Sequence, residues 1–409
     1  KADEAAAAAA AAAEGAGSSK DGVRVVATPT WHPPIERLEA ALLGPRALAE
    51  PVGLKMRAIY YLRSIGSPSA LDILCSALER GAVASPGHSP LMRHEVAYVL
   101  GQMGDAAACE VLERTLADRT DNVMVRHECA EALGAIGAPR SIPLLERLAG
   151  PPTNPVAADR GDPAADPEPH PEEIRQTCRV ATDFARWKAG GGEASGEARP
   201  GVACACMLSP YSSHDPAPPD AATDGLPMVA VGAILRDESR PLFERYGAMF
   251  SLRNRGGPAA VAELGRALVE DRSSALLRHE VAFVLGQMQH AAALGPLAES
   301  LARPAEHSMV RHEAAEALGA LEFGDGDGEA TRCQRLLEKH SSPEHERDAV
   351  VRESCQVALD ATDYWSAIAV GSGGAVRDPT GAATDPSAGF KDLKIGFEVR
   401  REHFNVKVH

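Results

Sequence analysis

The sequence Leu91-Met-Arg-His-Glu-Val-Ala-Tyr-Val-Leu-Gly-Gln-Met103 decides the fold of this chain, because it recurs in modified form. Arg-His-Glu is found four times, with histidines at His94, His127, His279 and His312. The interval from His94 to His127 equals that from His279 to His312. The interval from His94 to His279 likewise equals that from His127 to His312. The chain therefore contains one two-repeat unit twice, with an imidazole and a carboxylate at matched positions in all four copies.

Four further segments fit the same frame when they are aligned on the position of the closing leucine, namely residues 55–62, 175–181, 245–252 and 352–359. Each follows another apolar helical stretch, with a short turn between them in three cases and a Pro-rich insertion before residues 175–181. Helical hairpins that recur with such a period are typical of HEAT or armadillo-like solenoids, in which each repeat packs on its neighbours. The sequence thus predicts an all-α HEAT-repeat solenoid of eight helical hairpins in two pseudo-symmetric halves of four.

Composition sets the predicted boundaries around these repeats. Residues 31–189 form the N-terminal half, which contains a Pro-rich insertion at 150–170, and residues 227–365 form the C-terminal half. Residues 190–226 have no helical period and are rich in Gly, Pro, Ala, Ser and Asp, which predicts a flexible linker. The two ends are predicted to be tails: residues 1–30, alanine-rich and disordered, and residues 366–409.

The formal net charge of −15 argues against a nucleic-acid partner, because phosphate binding needs clustered Lys and Arg. An acidic surface instead favours a basic macromolecular partner. No apolar run approaches the ~20 residues of a membrane span, and no signal-peptide pattern precedes the repeats. We therefore expect a cytoplasmic protein without membrane or nucleic-acid contacts.

The eight cysteines have no regular framework spacing. Cys129, Cys178 and Cys355 occupy the same apolar position of their repeats, where a free cysteine acts as a small hydrophobic residue. Cys204 and Cys206 form a lone C-x-C in the linker, which is a weak zinc signal without a second pair. We interpret that pair as incidental.

A single His-Glu pair near a helix start is usually a surface or capping feature, because a glutamate is favourable in the first turn. His345-Glu346 is such a pair, lies outside the repeat register and is assigned no function. The four pairs in register differ, since stacked repeats place equal positions about 10 Å apart, within reach of a shared ion. The outer hairpins lack the pair. We therefore predict two clusters of metal ligands: His94, Glu95, His127 and Glu128, and their copy His279, Glu280, His312 and Glu313.

Two such clusters, joined by a linker, can close face to face about a pseudo-two-fold axis and hold two metal ions. Nitrogen and oxygen ligands without thiolate suit iron, manganese or zinc. Two histidines and one carboxylate per metal suit a non-haem iron oxygenase, whereas paired metals beside carboxylates also suit hydrolysis through a bridging hydroxide. The spacing leaves open a hydroxylase, a dimetal hydrolase and a non-enzymatic HEAT interaction module whose histidines are incidental.

At these residues the chain resembles the deoxyhypusine hydroxylase family. Eight HEAT hairpins in two halves, with Arg-His-Glu in the second, third, sixth and seventh, carry the likeness. The similar flanking sequences are Val96-Ala-Tyr-Val-Leu-Gly-Gln-Met103, Val281-Ala-Phe-Val-Leu-Gly-Gln-Met288, Glu131-Ala-Leu-Gly-Ala-Ile136 and Glu244-Arg-Tyr246. The resemblance covers residues 35–150, 171–189 and 227–365.

The resemblance implies a di-iron monooxygenase that uses dioxygen to hydroxylate the deoxyhypusine side chain of the hypusine-containing translation factor. This substrate is a basic protein, which fits the acidic charge of the chain, and the chain is expected to act as a monomer. The resemblance also implies a ligand set for each iron. One iron would be held by His94, His127 and Glu280, the other by His279, His312 and Glu95, and Glu128 and Glu313 would be catalytic residues that orient the cationic side chain at the open face.

A prediction about the two halves follows from shared ligand sets. When residues 31–189 and 227–365 are expressed separately, each half should bind iron poorly, because it supplies only part of each set. Mixing the two halves should restore iron binding. Iron quantification on each half and on the mixture checks this, and full iron binding by either half alone would contradict it.

Overall fold

The computed structural model describes residues 33–80, 87–150, 170–189, 211, 213–323 and 328–369. In these residues the chain forms sixteen α-helices and no strand, apart from an isolated bridge between His290 and Glu322. The helices pair into eight successive hairpins, which confirms the predicted all-α HEAT-repeat solenoid. None of the helices in these ranges has the length and apolar character needed to cross a membrane.

The helices are numbered here in chain order, and the second helix of each hairpin, which has an even number, is called an inner helix. The first four hairpins contain α1 (Ile35–Leu43), α2 (Val52–Ile65), α3 (Pro68–Leu78), α4 (Pro90–Met103), α5 (Cys109–Ala117), α6 (Val123–Ile136), α7 (Ile142–Ala149) and α8 (Glu172–Ala189). The last four contain α9 (Met228–Arg236), α10 (Leu242–Arg255), α11 (Gly257–Glu270), α12 (Ala275–Met288), α13 (Leu294–Ala302), α14 (Ser308–Ala320), α15 (Gly328–His340) and α16 (Ala349–Ala369).

Local sequence signals explain where the inner helices begin and end. Ser89 caps α4 by accepting a hydrogen bond from the backbone N–H of Met92, and Asn122 caps α6 in the same way. Both helices end at a glycine with positive φ, Gly104 and Gly137, each at 69°. Glycine suits this left-handed position because it has no Cβ to clash.

The arginine of each Arg-His-Glu motif ties its inner helix to the outer helix of the same hairpin. Arg93 Nε donates to the carbonyl of Leu78, the last residue of α3, at 2.7 Å. Arg126 and Arg311 donate to carbonyls in the last turns of α5 and α13 at 2.9 and 3.0 Å. Because the next residue in the chain is the histidine, this bond also sets the direction in which the imidazole points.

Arg93, Arg126 and Arg311 are buried and Arg278 is largely buried, so their positive charges need partners. Arg93 forms two parallel hydrogen bonds of 2.6 and 2.7 Å to the carboxylate of Asp121, in the turn of the following hairpin. Arg278 pairs with Glu306 at 2.6 Å, and Arg311 pairs with Glu346. The motif arginines therefore also connect each hairpin to the next one.

Neighbouring inner helices approach closely at the glycine that follows the closing leucine of each Arg-His-Glu repeat. A Cβ added to Gly101 would lie 2.7 Å from the Cα of Ala132 on the next inner helix. The same glycine-on-alanine contact recurs at three other places: Gly134 on Ala181, Gly286 on Ala317, and Gly319 on Ala358. The Leu-Gly pair of the repeat therefore sets the spacing between inner helices.

A continuous hydrophobic core runs through both halves between the inner and outer helices. Cys129, Cys178 and Cys355 are fully buried in this core, as their shared apolar position predicted. Cys204 and Cys206 lie outside the described residues.

The inner helices of the two halves meet at both junctions and surround one axis. At one junction α2 packs on α16, and Arg57 forms an ion pair with Asp360. The capping residue Ser89 also donates a 2.6 Å hydrogen bond to Glu353 of α16. At the other junction Ser274, which caps α12, donates a 2.7 Å hydrogen bond to Gln176 of α8. The halves thus close face to face, as the pairing of the two clusters requires.

The end of the predicted flexible linker differs from expectation, because residues 213–226 make defined contacts. The backbone N–H of His214 donates to Gln102 of α4 at 3.0 Å, and Gln287 of α12 donates to the Ser213 hydroxyl at 3.1 Å. Asp215 accepts a 2.9 Å hydrogen bond from the buried Arg253. The composition of the linker does not reveal these polar groups, which bind both halves.

Several predicted segments lie outside the described residues and remain predictions. They are residues 1–30, most of the insertion at 150–170, residues 190–210 of the linker, and the C-terminal tail beyond residue 369. The last helix itself continues to Ala369, past the predicted end of the repeats at residue 365.

The pair His345-Glu346 has no role in the histidine clusters, but its glutamate is structural. His345 is exposed, whereas Glu346 is buried and accepts hydrogen bonds from Arg311 and from the backbone N–H of Asp348. Burial alone would raise the pKa of Glu346, but these bonds outweigh it and lower the pKa to about 2.

The depressed pKa of Glu346 predicts a pH-dependent contribution to stability. Its folded-state pKa lies below the unfolded value, so the contribution is complete above pH ~4.5 and is lost as the pH falls towards ~2. Glu346→Gln should lower the free energy of unfolding by roughly 3 kcal/mol at pH 7, and by less at pH 3. Urea unfolding at both pH values checks this, with the exposed Glu344→Gln as control. An equal loss at both pH values would contradict it.

Candidate metal centre

The four motif histidines meet at the centre of the ring of inner helices. Within the halves the ring centroids of His94 and His127 are 5.4 Å apart, and those of His279 and His312 are 5.3 Å apart. Between the halves His94 lies 5.0 Å from His312, and His127 lies 5.1 Å from His279. All four side chains are buried. Four separate sequence motifs therefore form one composite cluster.

In each half, the glutamate of the second motif lies beside the histidine of the first motif. Glu128 Oε2 is 3.2 Å from His94 Nε2 and 3.9 Å from His127 Nε2. Glu313 Oε2 is 3.7 Å from His279 Nε2, at the matching place in the other half. The pseudo-symmetry of the sequence thus extends to the side-chain contacts.

The remaining two motif glutamates face the same space. Glu95 and Glu280 line the small cavity that also contains His94, His279, Glu128 and Glu313. All eight predicted site residues are therefore brought together, six of them around this cavity and two, His127 and His312, through their ring contacts.

Two groups of donor atoms in the described residues have the geometry to hold a metal ion. One consists of His94, His127 and Glu128, and the other of His94, His279 and His312, with all donor atoms of a group within 4.8 Å of one another. The second group takes ligands from both halves. Neither group contains Glu95 or Glu280, so the glutamate that belongs to each metal stays a prediction.

The electrostatic surroundings favour a bound cation. Burial lowers the pKa of His127 and His279 well below the usual imidazole value, and the neighbouring histidines add to the shift. These imidazoles are neutral and keep a lone pair for a metal. Burial also raises the pKa of Glu128 to about 8 and that of Glu280 well above the usual carboxyl range. A metal ion would supply the positive charge that this cluster lacks.

Hydrogen bonding supports the same conclusion. Both ring nitrogens of His127 and of His279 have no hydrogen-bond partner among the described residues. A buried polar group without a partner costs roughly 1–3 kcal/mol, so four such atoms at one place need another explanation. Coordination to metal ions provides one, and the histidine and carboxylate donors fit iron, manganese or zinc.

Sequence reasoning missed the residues that support the ligands. Tyr60, on α2, donates a 2.5 Å hydrogen bond to Glu95. His312 Nδ1 lies 3.5 Å from the Ser354 hydroxyl and 3.7 Å from Glu316, one helical turn further on. The four-residue spacing along α14 could have revealed the contact between His312 and Glu316. Tyr60 and Ser354, however, lie on helices that lack the motif.

Two aromatic residues line the cavity, and the sequence did not predict that they contact each other. Tyr98 and Phe283 each lie one helical turn beyond a motif histidine, at matched positions of the two halves. Their rings meet across the halves at a centroid distance of 6.0 Å, and both line the cavity. The matched spacing is a signal in the sequence, but the contact depends on how the halves close.

The fold and the site together define a class: a HEAT-repeat protein with a buried histidine–glutamate cluster suited to metal binding. The HEAT-repeat profile matches residues 81–160 and 230–319, and the PBS lyase HEAT-like repeat profile matches residues 54–80.

The chain belongs to the deoxyhypusine hydroxylase family. It is 42% identical to the mouse (Mus musculus) deoxyhypusine hydroxylase over 337 residues, which cover 81% of this chain and 92% of that protein. It is 39% identical to the human (Homo sapiens) enzyme over 335 residues, covering 81% and 91%. The solved structure of human deoxyhypusine hydroxylase in complex with glycerol is similar with a TM-score of 0.64 and 38% identity, over 81% of this chain and 96% of that one.

If the cluster binds metal, the metal should raise the free energy of unfolding, and part of this gain should depend on His127. Adding Fe²⁺ anaerobically at a hundredfold excess over the Kd of a site should stabilise the wild-type protein by about 2.7 kcal/mol for that site. His127→Ala should lose the gain from one site and about half of the bound iron, because it removes a fully buried ligand of one metal. Thermal unfolding and iron quantification check this, with the exposed His345→Ala as control. Unchanged iron content in His127→Ala would contradict it.

Proposed function

We propose that this protein uses dioxygen and two iron ions to hydroxylate the deoxyhypusine side chain of the hypusine-containing translation factor. The observation that carries the proposal is the meeting of four buried imidazoles and four carboxylates at the junction of the halves. Relatives that match over most of their length are named deoxyhypusine hydroxylase. These names favour the hydroxylase over the dimetal hydrolase and over the HEAT interaction module.

Iron fits the donors, which are nitrogen and oxygen atoms without thiolate. When bound, two iron ions supply the redox chemistry that activates dioxygen for insertion into a C–H bond. The proposed ligand sets each take a glutamate from the opposite half, so that neither half is sufficient. They are His94, His127 and Glu280 for one iron, and His279, His312 and Glu95 for the other.

Glu128 and Glu313 are the proposed catalytic residues that orient the substrate. Both are buried at the cavity, and a carboxylate in such a low-dielectric place attracts an ammonium group more strongly than it does in water. The deoxyhypusine side chain is an aliphatic chain with amino groups, so one carboxylate can hold its cationic end. Tyr98 and Phe283 line the same cavity and exclude water from the apolar part of the chain.

The proposed setting is cytoplasmic, with a basic protein as partner. The net charge of −15 supports attraction of such a partner. Both halves of the site come from one chain, so the protein is proposed to act as a monomer.

The roles of Glu128 and Glu313 can be tested separately from metal binding. Glu128→Gln and Glu313→Gln should each keep iron but hydroxylate the deoxyhypusine-modified factor roughly a hundredfold more slowly, since a lost buried charge pair costs about 3 kcal/mol. Mass spectrometry of the factor, which gains one oxygen atom, measures the product with and without dioxygen.

The exposed Glu299→Gln is the matched control and should keep full activity. Wild-type rates in both site variants would overturn the assigned roles. Stoichiometric zinc and no dioxygen-dependent product would overturn the hydroxylase and favour the hydrolase. Metal-free wild-type protein would favour the interaction module.

A further inference from the structure

Tyr60 contacts the cluster from a hairpin that has no His-Glu pair. It lies on α2, its side chain is only 2% exposed, and its hydroxyl donates a 2.5 Å hydrogen bond to Glu95 Oε1. A buried phenol bonded to a buried carboxylate holds that carboxylate in one orientation. Glu95 is one of the two glutamates proposed to bind a metal from across the halves.

The other half has no tyrosine at the matching position. Tyr60 is two positions before the closing leucine Leu62, and Phe250 is two positions before Leu252 on α10. Glu95 and Glu280 likewise occupy the same place in their repeats, each directly after its motif histidine. Phe250 is fully buried and has no hydroxyl, so this position offers Glu280 no hydrogen-bond donor.

Tyr246 is the tyrosine of α10, and it does not replace the missing contact. Burial raises the pKa of its phenol, and the negative charge of Glu280 adds to the shift. However, the hydroxyl of Tyr246 has no hydrogen-bond partner within the described ranges. The two-repeat units therefore have the same proposed metal ligands, but they differ in the hydrogen bonds that those ligands accept.

We propose that Tyr60 is a positioning residue for Glu95 and that it makes the two metal positions inequivalent. The proposal rests on the proposed function, in which Glu95 and Glu280 serve different metals. Groups that hydrogen-bond a ligating carboxylate fix its orientation, and their loss typically lowers metal affinity about 10- to 100-fold. The position that includes Glu95 is preorganised by Tyr60, and it binds its metal more tightly than the position that includes Glu280.

The test is an anaerobic Fe²⁺ titration of the full-length apoprotein against a competing chelator. The wild type should show two sites of unequal affinity. Tyr60→Phe should weaken the tighter site by about tenfold and leave the weaker one unchanged, because only the hydroxyl is removed. Mössbauer spectra of the ⁵⁷Fe-loaded protein should show two distinct irons in the wild type, of which Tyr60→Phe alters one.

Two tyrosine variants control for the loss of a buried hydroxyl. Tyr61→Phe removes one from the adjacent, equally buried residue, and Tyr246→Phe removes one from the other half. Both should leave the two affinities and both iron spectra unchanged. Circular dichroism and thermal unfolding of the apoproteins check that all three variants fold like the wild type.

The outcomes separate this inference from the proposed function. Two iron sites that Tyr60→Phe alters neither in affinity nor in spectrum would overturn the role of Tyr60 alone. Equal weakening of both sites by Tyr60→Phe, or the same effect from Tyr61→Phe, would also overturn it. A wild-type protein that takes up no iron would overturn the proposed function, and the role of Tyr60 with it.

Discussion

The structure depends on the arginine that precedes each motif histidine. A guanidinium has its donors in a rigid plane, so bonding a carbonyl of the outer helix and an acid of the next turn fixes the rotation of the inner helix. Arg93, bound to Leu78 and Asp121, shows both contacts. With that rotation set, the following histidine and glutamate point to the axis, and a small rotation of the helix would bury them among leucines.

When the two halves close on each other, the motif residues that these arginines orient come together at one site. Inner helices at glycine-on-alanine spacing place imidazoles from opposite halves 5.0 and 5.1 Å apart, in a region sheltered from water. Burying so many ionisable groups without compensation is costly, as the raised pKa of Glu128 and the lowered pKa of His127 show. The same cost favours a bound cation, because a positive charge offsets it.

The duplication makes the two halves of the histidine–glutamate cluster alike, and single residues make them differ. The motif residues recur at one constant interval between the halves. At the positions of Tyr60 and Tyr98, however, the second half has Phe250 and Phe283. Each difference removes one hydroxyl from the second half without changing the packing volume much.

The sequence by itself determined the repeat, the eight hairpins and the eight side chains at the centre, because a helical period and a constant spacing are local properties that repetition makes visible. It also separated His345, which proved to be exposed, from the motif histidines. Tertiary structure alone decided the hydroxyl of Tyr60 on Glu95, the contact of Tyr98 with Phe283, and the packing of residues 213–226 on both halves. These contacts join residues far apart in the chain, and they exist only because the two halves close on each other.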